Sequence, residues 1–144
     1  MGLKLAKTLA LLLAIMVVGA SCGKKATSEG TAGGKMTIGS DQATNKGTKD
    51  VSGKSTFELE ADNEGNTYYF EPTVLKGTAG QTLTITVKNE GNTLHNFSID
   101  SQSISMDIQN DQEITATVTF PSSGFVEFYC KIHRALGMAG ELSV

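Results

Sequence analysis

The chain has 144 residues, with 12 Lys and Arg against 15 Asp and Glu, a formal net charge of −3 and no Trp. The charge is unevenly divided: residues 55–144 hold 12 acids and 4 bases, a net of −8, whereas residues 23–54 hold 6 bases and 3 acids, a net of +3. Phosphate contacts need a basic footprint, so this balance argues against nucleic acid as a partner, and the acidic surface serves solubility.

The chain opens with Lys4 and Lys7, followed by an unbroken apolar run of ten residues from Leu9 to Val18, then Gly19, Ala20, Ser21 and Cys22. Ten apolar residues are too few to span a bilayer as a helix. The basic, apolar, small-residue order is that of an export signal, assigned to 1–21. Val18-Gly-Ala-Ser-Cys22 resembles a bacterial lipobox, with Gly19 where a larger apolar residue is commoner. That pattern implies acylation of Cys22, durable attachment to a membrane, and a domain facing the periplasm or cell exterior. A Cys22–Cys130 disulfide is the competing reading that export permits. It is the weaker one, because Cys22 stands at the cleavage boundary, away from the domain.

Residues 22–54 are dominated by Gly, Ser, Thr, Lys, Ala and Asp, with Met36, Ile38 and Val51 isolated among them. So little apolar surface cannot offset ordering entropy, which predicts a flexible tether, with at most a short strand near Lys35–Ile38.

Residues 55–144 then form one domain. Strand-like runs occur at 55–60, 67–70, 81–88, 94–100, 113–120, 124–130 and 141–144. Alternation is clearest in 81–88, where Leu83, Ile85 and Val87 share one face and Thr82, Thr84 and Thr86 the other. Glu58, Glu60 and Asp62 alternate as a wet face. Turn signals stand at Asn63-Glu-Gly65, Lys76-Gly77, Asn89-Glu-Gly91-Asn92 and Pro121-Ser-Ser-Gly124. Many short strands so punctuated, with no helical apolar period, predict an all-β sandwich or barrel. Phe70, Phe97, Phe120, Phe125 and Phe128, and Met106, are expected to pack inside.

The chemistry concentrates near the C-terminus. Cys130, His133 and Met138 fall within nine residues, and His95 is the chain's other histidine. Two His, one Cys and a weak axial Met form the ligand set of a mononuclear copper electron-transfer site. His95 shares its strand face with Phe97 and Ile99, and Cys130 shares its face with Val126 and Phe128, so both face the core. Cys130 and His133, three apart, would face opposite ways on a straight strand, so the chain must turn after Cys130. No open ligand position, nucleophilic triad, Cys-x-x-Cys pair or phosphate-binding glycine loop is evident, which argues against an enzyme. The competing reading is a copper-storage or copper-delivery protein; a single motif methionine and a strand-anchored thiol argue instead for retention.

Over about residues 67–144 the chain resembles the cupredoxins of the plastocyanin and pseudoazurin kind. The resemblance rests on Tyr69-Phe-Glu-Pro72, Ala79-Gly80 before a Thr-rich strand, Asn89, His95-Asn96-Phe97 and Tyr129-Cys-Lys-Ile-His133-Arg-Ala-Leu-Gly-Met138-Ala-Gly-Glu-Leu. It implies an eight-stranded Greek-key β-sandwich, a monomer, with one copper ion cycling between Cu(I) and Cu(II) at one end. It also implies His95, Cys130, His133 and Met138 as ligands, and Asn96 as a brace for the cysteine loop. His133 is then the solvent-edge ligand, with Ala135, Leu136 and Gly137 as an apolar patch where a protein electron donor and acceptor dock. The interval from His95 to Cys130 is short for the family. Arg134 and Lys131 add a small basic rim, read here either as orienting an acidic partner or as solvated charge.

Overall fold

The computed structural model describes residues 33–144. The expectations for the signal, 1–21, and for Cys22 fall outside the described residues. Among the described residues twelve strands run in chain order: β1 (Lys35–Ile38), β2 (Asp41–Thr44), β3 (Thr48–Asp50), β4 (Thr56–Glu64), β5 (Thr67–Glu71), β6 (Val74–Lys76), β7 (Thr82–Asn89), β8 (His95–Ile99), β9 (Ile104–Ile108), β10 (Glu113–Thr119), β11 (Phe125–Tyr129) and β12 (Ala139–Ser143). They form a four-stranded sheet, β10-β7-β4-β5, a six-stranded sheet, β3-β6-β12-β11-β8-β9, and a separate β1-β2 ribbon. Most pairings are antiparallel; β4 with β7 and β6 with both β12 and β3 are parallel. The chain is thus an all-β sandwich with mixed sheets, as the alternation predicts.

Alternation sets the faces. Leu83, Ile85 and Val87 of β7 are fully buried, while Thr82 between them and the turn is exposed. Ala116 and Val118 of β10 and Leu59 and Ala61 of β4 complete that sheet's inner face. From the six-stranded sheet, Phe97 and Phe128 meet Phe70 of β5, with ring centroids 5.3 to 6.0 Å apart, near edge-to-face for the two Phe70 pairs. Gly140 of β12 lies opposite Phe128; a Cβ there would sit 2.3 Å from the Phe128 ring and 2.5 Å from the Thr73 carbonyl oxygen. Cys130 and Met138 belong to this same buried core.

Three expectations need correction. The tether reading of 22–54 does not hold over 33–54: the short strand allowed at Lys35–Ile38 is β1, but β2 and β3 follow it. Its few apolar residues are enough because they are well placed: Ile38, Ala43 and Val51 are buried. Backbone bonds do the rest, with Thr73 and Val74 N–H both donating to the Gly47 carbonyl at 3.0 Å. The eight strands implied by resemblance become twelve, the additions including β6 and the edge strand β9, which are short or polar outward. Phe125 and Met106 are exposed rather than packed inside. The short interval between His95 and Cys130 still accommodates β9 and β10.

Candidate metal centre

His95 is the first residue of β8 and is fully buried. The loop before it is fixed by buried Asn89, whose Nδ2 donates to the carbonyls of Thr93 and Ile108, each at 2.8 Å, and whose Oδ1 accepts from Gly91 N–H at 3.0 Å. Gly91 lies against the imidazole: a Cβ there would fall 2.7 Å from His95 Nε2 and 2.4 Å from Asn63 Oδ1. Burial, and then repulsion by His133, push the His95 pKa down to about 4, against a small opposing pull from Asp62. The imidazole is therefore neutral at pH 7.

Cys130 follows β11 directly. Its N–H donates to the Met138 carbonyl at 3.0 Å, and its own carbonyl accepts from His133 N–H at 3.1 Å. That second bond is the turn that the Cys-x-x-His spacing requires. A 3-10 turn over Arg134–Leu136 continues the loop and ends at Gly137, whose φ of 103° lies in the left-handed region that glycine adopts freely. Met138 N–H then returns to the His133 carbonyl at 3.2 Å. Three candidate ligands are thus carried on one hydrogen-bonded loop, and Met138 is fully buried beside the other two.

The side chains converge. The donor atoms of His95, Cys130 and His133 lie within 4.8 Å of one another. Cys130 Sγ is 3.6 Å from His133 Nδ1, and the imidazole centroids are 5.2 Å apart at 72°. Burial lowers the His133 pKa as well. Both ring nitrogens of His95 are buried without a hydrogen-bond partner, a costly arrangement unless something binds there. A buried thiol and two imidazoles, with a buried methionine on the same loop, fit a soft late transition metal, and copper best of these.

The surroundings partly match the sequence reading. Asn96 does reach the cysteine loop: its Oδ1 accepts from Lys131 N–H at 3.4 Å, and its Nδ2 donates to Asp107 at 2.8 Å. Ala135 and Leu136 are exposed, Leu136 by 50%. Gly137 is buried and forms no part of an exposed patch, because Lys35, Gln42 and Thr44 lie over it. Leu94 and Ile132, each adjacent in sequence to a histidine, are 38% and 44% exposed. The free basic rim is also corrected. Lys131 pairs with Asp107 at 2.7 Å. Arg134 pairs with Asp41 and, at 2.8 Å, with Glu127, and it lies 4.1 Å from the Tyr129 ring centroid. Burial, and next the hydrogen bond shared with Asp41, push the Glu127 pKa up to about 7, while that bond and Arg134 hold Asp41 below the usual carboxylate range.

Two further features adjoin the site. Tyr68 stacks on His133, centroids 3.9 Å apart and planes 16° from parallel, and meets His95 edge-on at 6.3 Å. Its signal was present, since Tyr68 shares a strand face with buried Phe70. The ribbon residues Lys35, Asp41 and Thr44, which touch the ligand loop, gave no such signal.

A family model described as "Cupredoxin-like domain" matches residues 10–144. No curated protein matches the chain. Among solved structures, the chain is similar to dithionite-reduced auracyanin from the photosynthetic bacterium Roseiflexus castenholzii, at 23% identity and TM-score 0.52, over 63% of this chain and 97% of that one. It is similar to a chain of a heme-copper terminal oxidase dimer, at 18% identity and TM-score 0.52, over 64% of this chain and 65% of that one. It also matches the copper-containing nitrite reductase of Thermus scotoductus, at 21% identity and TM-score 0.50, over 62% of this chain and 27% of the reductase. These likenesses establish the fold.

Proposed function

The chain belongs to the cupredoxin-like domain family, and on that premise we propose that it is a type 1 copper protein carrying single electrons between protein partners. The observation that carries this reading is the buried His95–Cys130–His133 constellation, its donor atoms within 4.8 Å of one another. Copper bound there would supply a one-electron Cu(I)/Cu(II) couple.

Each residue then has a task. Cys130 offers a thiolate, the strongest soft donor of the set. His95 and His133 offer imidazoles whose doubly protonated form burial disfavours, which leaves one ring nitrogen of each with a lone pair for a metal. Met138 would offer a thioether, a weaker donor through which the potential of a bound copper would be tuned. The sandwich fixes His95 and Cys130, so the donor positions need change little between oxidation states. Asn96 ties β8 to the cysteine loop. His133, 9% exposed where His95 and Cys130 are wholly buried, is the ligand nearest solvent and the edge through which electrons enter and leave.

The exposed apolar residues next to the histidines in sequence, Ile132, Ala135 and Leu136 beside His133 and Leu94 beside His95, would supply the docking face. Because Lys131 and Arg134 are held in ion pairs, recognition there rests on apolar contact, and association with a partner is only weakly salt-dependent. The protein is an electron carrier, not an enzyme. We further propose that residues 1–21 direct export and that acylated Cys22 holds the folded part at a membrane; the mass of the membrane-extracted protein tests this, an unmodified Cys22 refuting it.

The test of the main reading is copper loading followed by cycles of ascorbate reduction and reoxidation. Expected are one copper per chain and an intense thiolate charge-transfer band in the red that bleaches and returns. A weak, broad spectrum or irreversible loss of the Cys130 thiol would refute it.

A further inference from the structure

The four proposed ligands are held by two different parts of the fold. The sandwich carries His95 on β8 and Cys130 at the end of β11. His133 and Met138 are separated by residues 134–137, and that segment is gripped from outside the sandwich. Arg134 is ion-paired to Asp41 of β2. The Leu136 carbonyl accepts from Lys35 Nζ of β1 at 3.3 Å, and Lys35 also donates to Thr44 at 2.9 Å. The Gly137 carbonyl accepts from Thr44 N–H at 2.8 Å. Contact at Gly137 is so close that a Cβ there would lie 2.4 Å from Lys35 Nζ and 2.9 Å from Thr44 Oγ1.

The β1-β2 ribbon making these contacts packs through a hydrophobic cluster separate from the main core. Ile38 and Ala43 pack into a small separate cluster with Ala139, the residue after Met138, and with Met36 and Tyr129. They are absent from the large core that holds the two main sheets together. The ribbon can therefore be loosened without opening that core.

We propose that the N-terminal ribbon is a clasp for the metal loop, with Asp41, Lys35 and Thr44 acting as positioning residues for His133 and Met138. The ribbon fixes residues 134–137 at three points, and so sets where the loop's outer ligands stand relative to His95 and Cys130. It limits the freedom of the loop in the absence of metal and slows escape of the metal once bound. The part of this inference that concerns metal rests on the copper reading; the mechanical part does not.

Hydrogen exchange on the full, metal-free chain separates the two. In the native protein, residues 35–44 and 131–138 are expected to open together, with one opening free energy and one denaturant dependence, below that of β7 and β10. Independent opening of ribbon and loop would overturn the proposal. In a Lys35→Met/Asp41→Asn variant, amides of 131–138 should exchange at least ten-fold faster while β7 and β10 are unchanged. Asp41→Glu alone should keep the loop near native protection. Faster exchange confined to 35–44 would show that the ribbon covers the loop without holding it, refuting the clasp. After copper loading, the double variant should lose metal to a Cu(I) chelator at least ten-fold faster and show altered copper hyperfine splitting; unchanged values would refute a role in positioning ligands. Loss of copper binding in the native chain, with coupled exchange intact, would refute the copper reading and leave the clasp standing.

Discussion

Asn89→Ala tests how the sandwich sets the position of His95. Asn89 makes three hydrogen bonds, donating to the Thr93 and Ile108 carbonyls and accepting from Gly91 N–H. Truncation removes all three bonds, one buried and two part-buried, at a net cost near 1 kcal/mol for each bond, or about 3 kcal/mol in all. For a domain of this size that corresponds to a fall in Tm of roughly 10–15 °C. The loop released is the one that carries Gly91 against His95 Nε2, so copper binding should weaken too. Each ten-fold loss of copper affinity removes about 1.4 kcal/mol from the stabilisation that saturating copper gives. Urea denaturation of metal-free and copper-loaded protein separates the effects. The metal-free comparison gives the structural cost, and any additional loss in the loaded protein gives the positional cost. If metal-free Asn89→Ala lies within about 0.5 kcal/mol of the native protein, the range of ordinary surface substitutions, the reasoning is refuted. If the two losses are equal, Asn89 stabilises the loop without positioning His95.

Other expectations follow from the same contacts. Tyr68→Leu removes the stack on His133, worth about 1 kcal/mol; voltammetry should show a shifted reduction potential, whereas Tyr68→Phe should remain close to native. Gly140→Ala drives a Cβ into the Phe128 ring and the Thr73 carbonyl and should cost about 2–3 kcal/mol by urea denaturation. Glu127, its pKa raised to about 7, binds a proton more tightly when folded, so its contribution to stability is greatest below about pH 4.5 and is lost as pH rises through 7. His95, lowered to about 4, acts oppositely: its contribution is present above about pH 6.5 and is lost as pH falls through 4. Metal-free Glu127→Gln should therefore gain stability with rising pH more steeply than the native protein between pH 4.5 and 7, as read by urea denaturation at several pH values; parallel profiles would contradict the assignment.

The candidate site was legible because its elements follow simple periodicities. Leu83, Ile85 and Val87 announce an inner face by alternation, and the same rule puts His95 with Phe97 and Cys130 with Phe128. The Cys-x-x-His spacing demands a turn, and the structure supplies it through the His133 N–H to Cys130 carbonyl bond. The ribbon's grip on the loop was illegible for the converse reason. Its grip uses a backbone amide, a lysine amine and one carboxylate, none of which leaves a periodic trace. Arg134 shows the cost of reading charge locally: its partner Asp41 is 93 residues away, so an apparent rim of free positive charge is a closed ion pair. β6 left no trace because a three-residue strand carries too few alternating positions to stand out, whereas β9 does alternate, Ile104, Met106 and Ile108 against Ser105 and Asp107, and was legible in principle.

The central claim is that the buried thiol and imidazoles hold copper while electrons pass. Its most direct test is repeated reduction and reoxidation of the copper-loaded protein in the presence of a competing Cu(I) chelator, with copper content and the thiolate–copper absorption followed together. Retention of one copper per chain, with full recovery of the band after each cycle, is the predicted result. Transfer of copper to the chelator on the first reduction, with the protein otherwise folded, would contradict an electron carrier and identify a protein that delivers the metal.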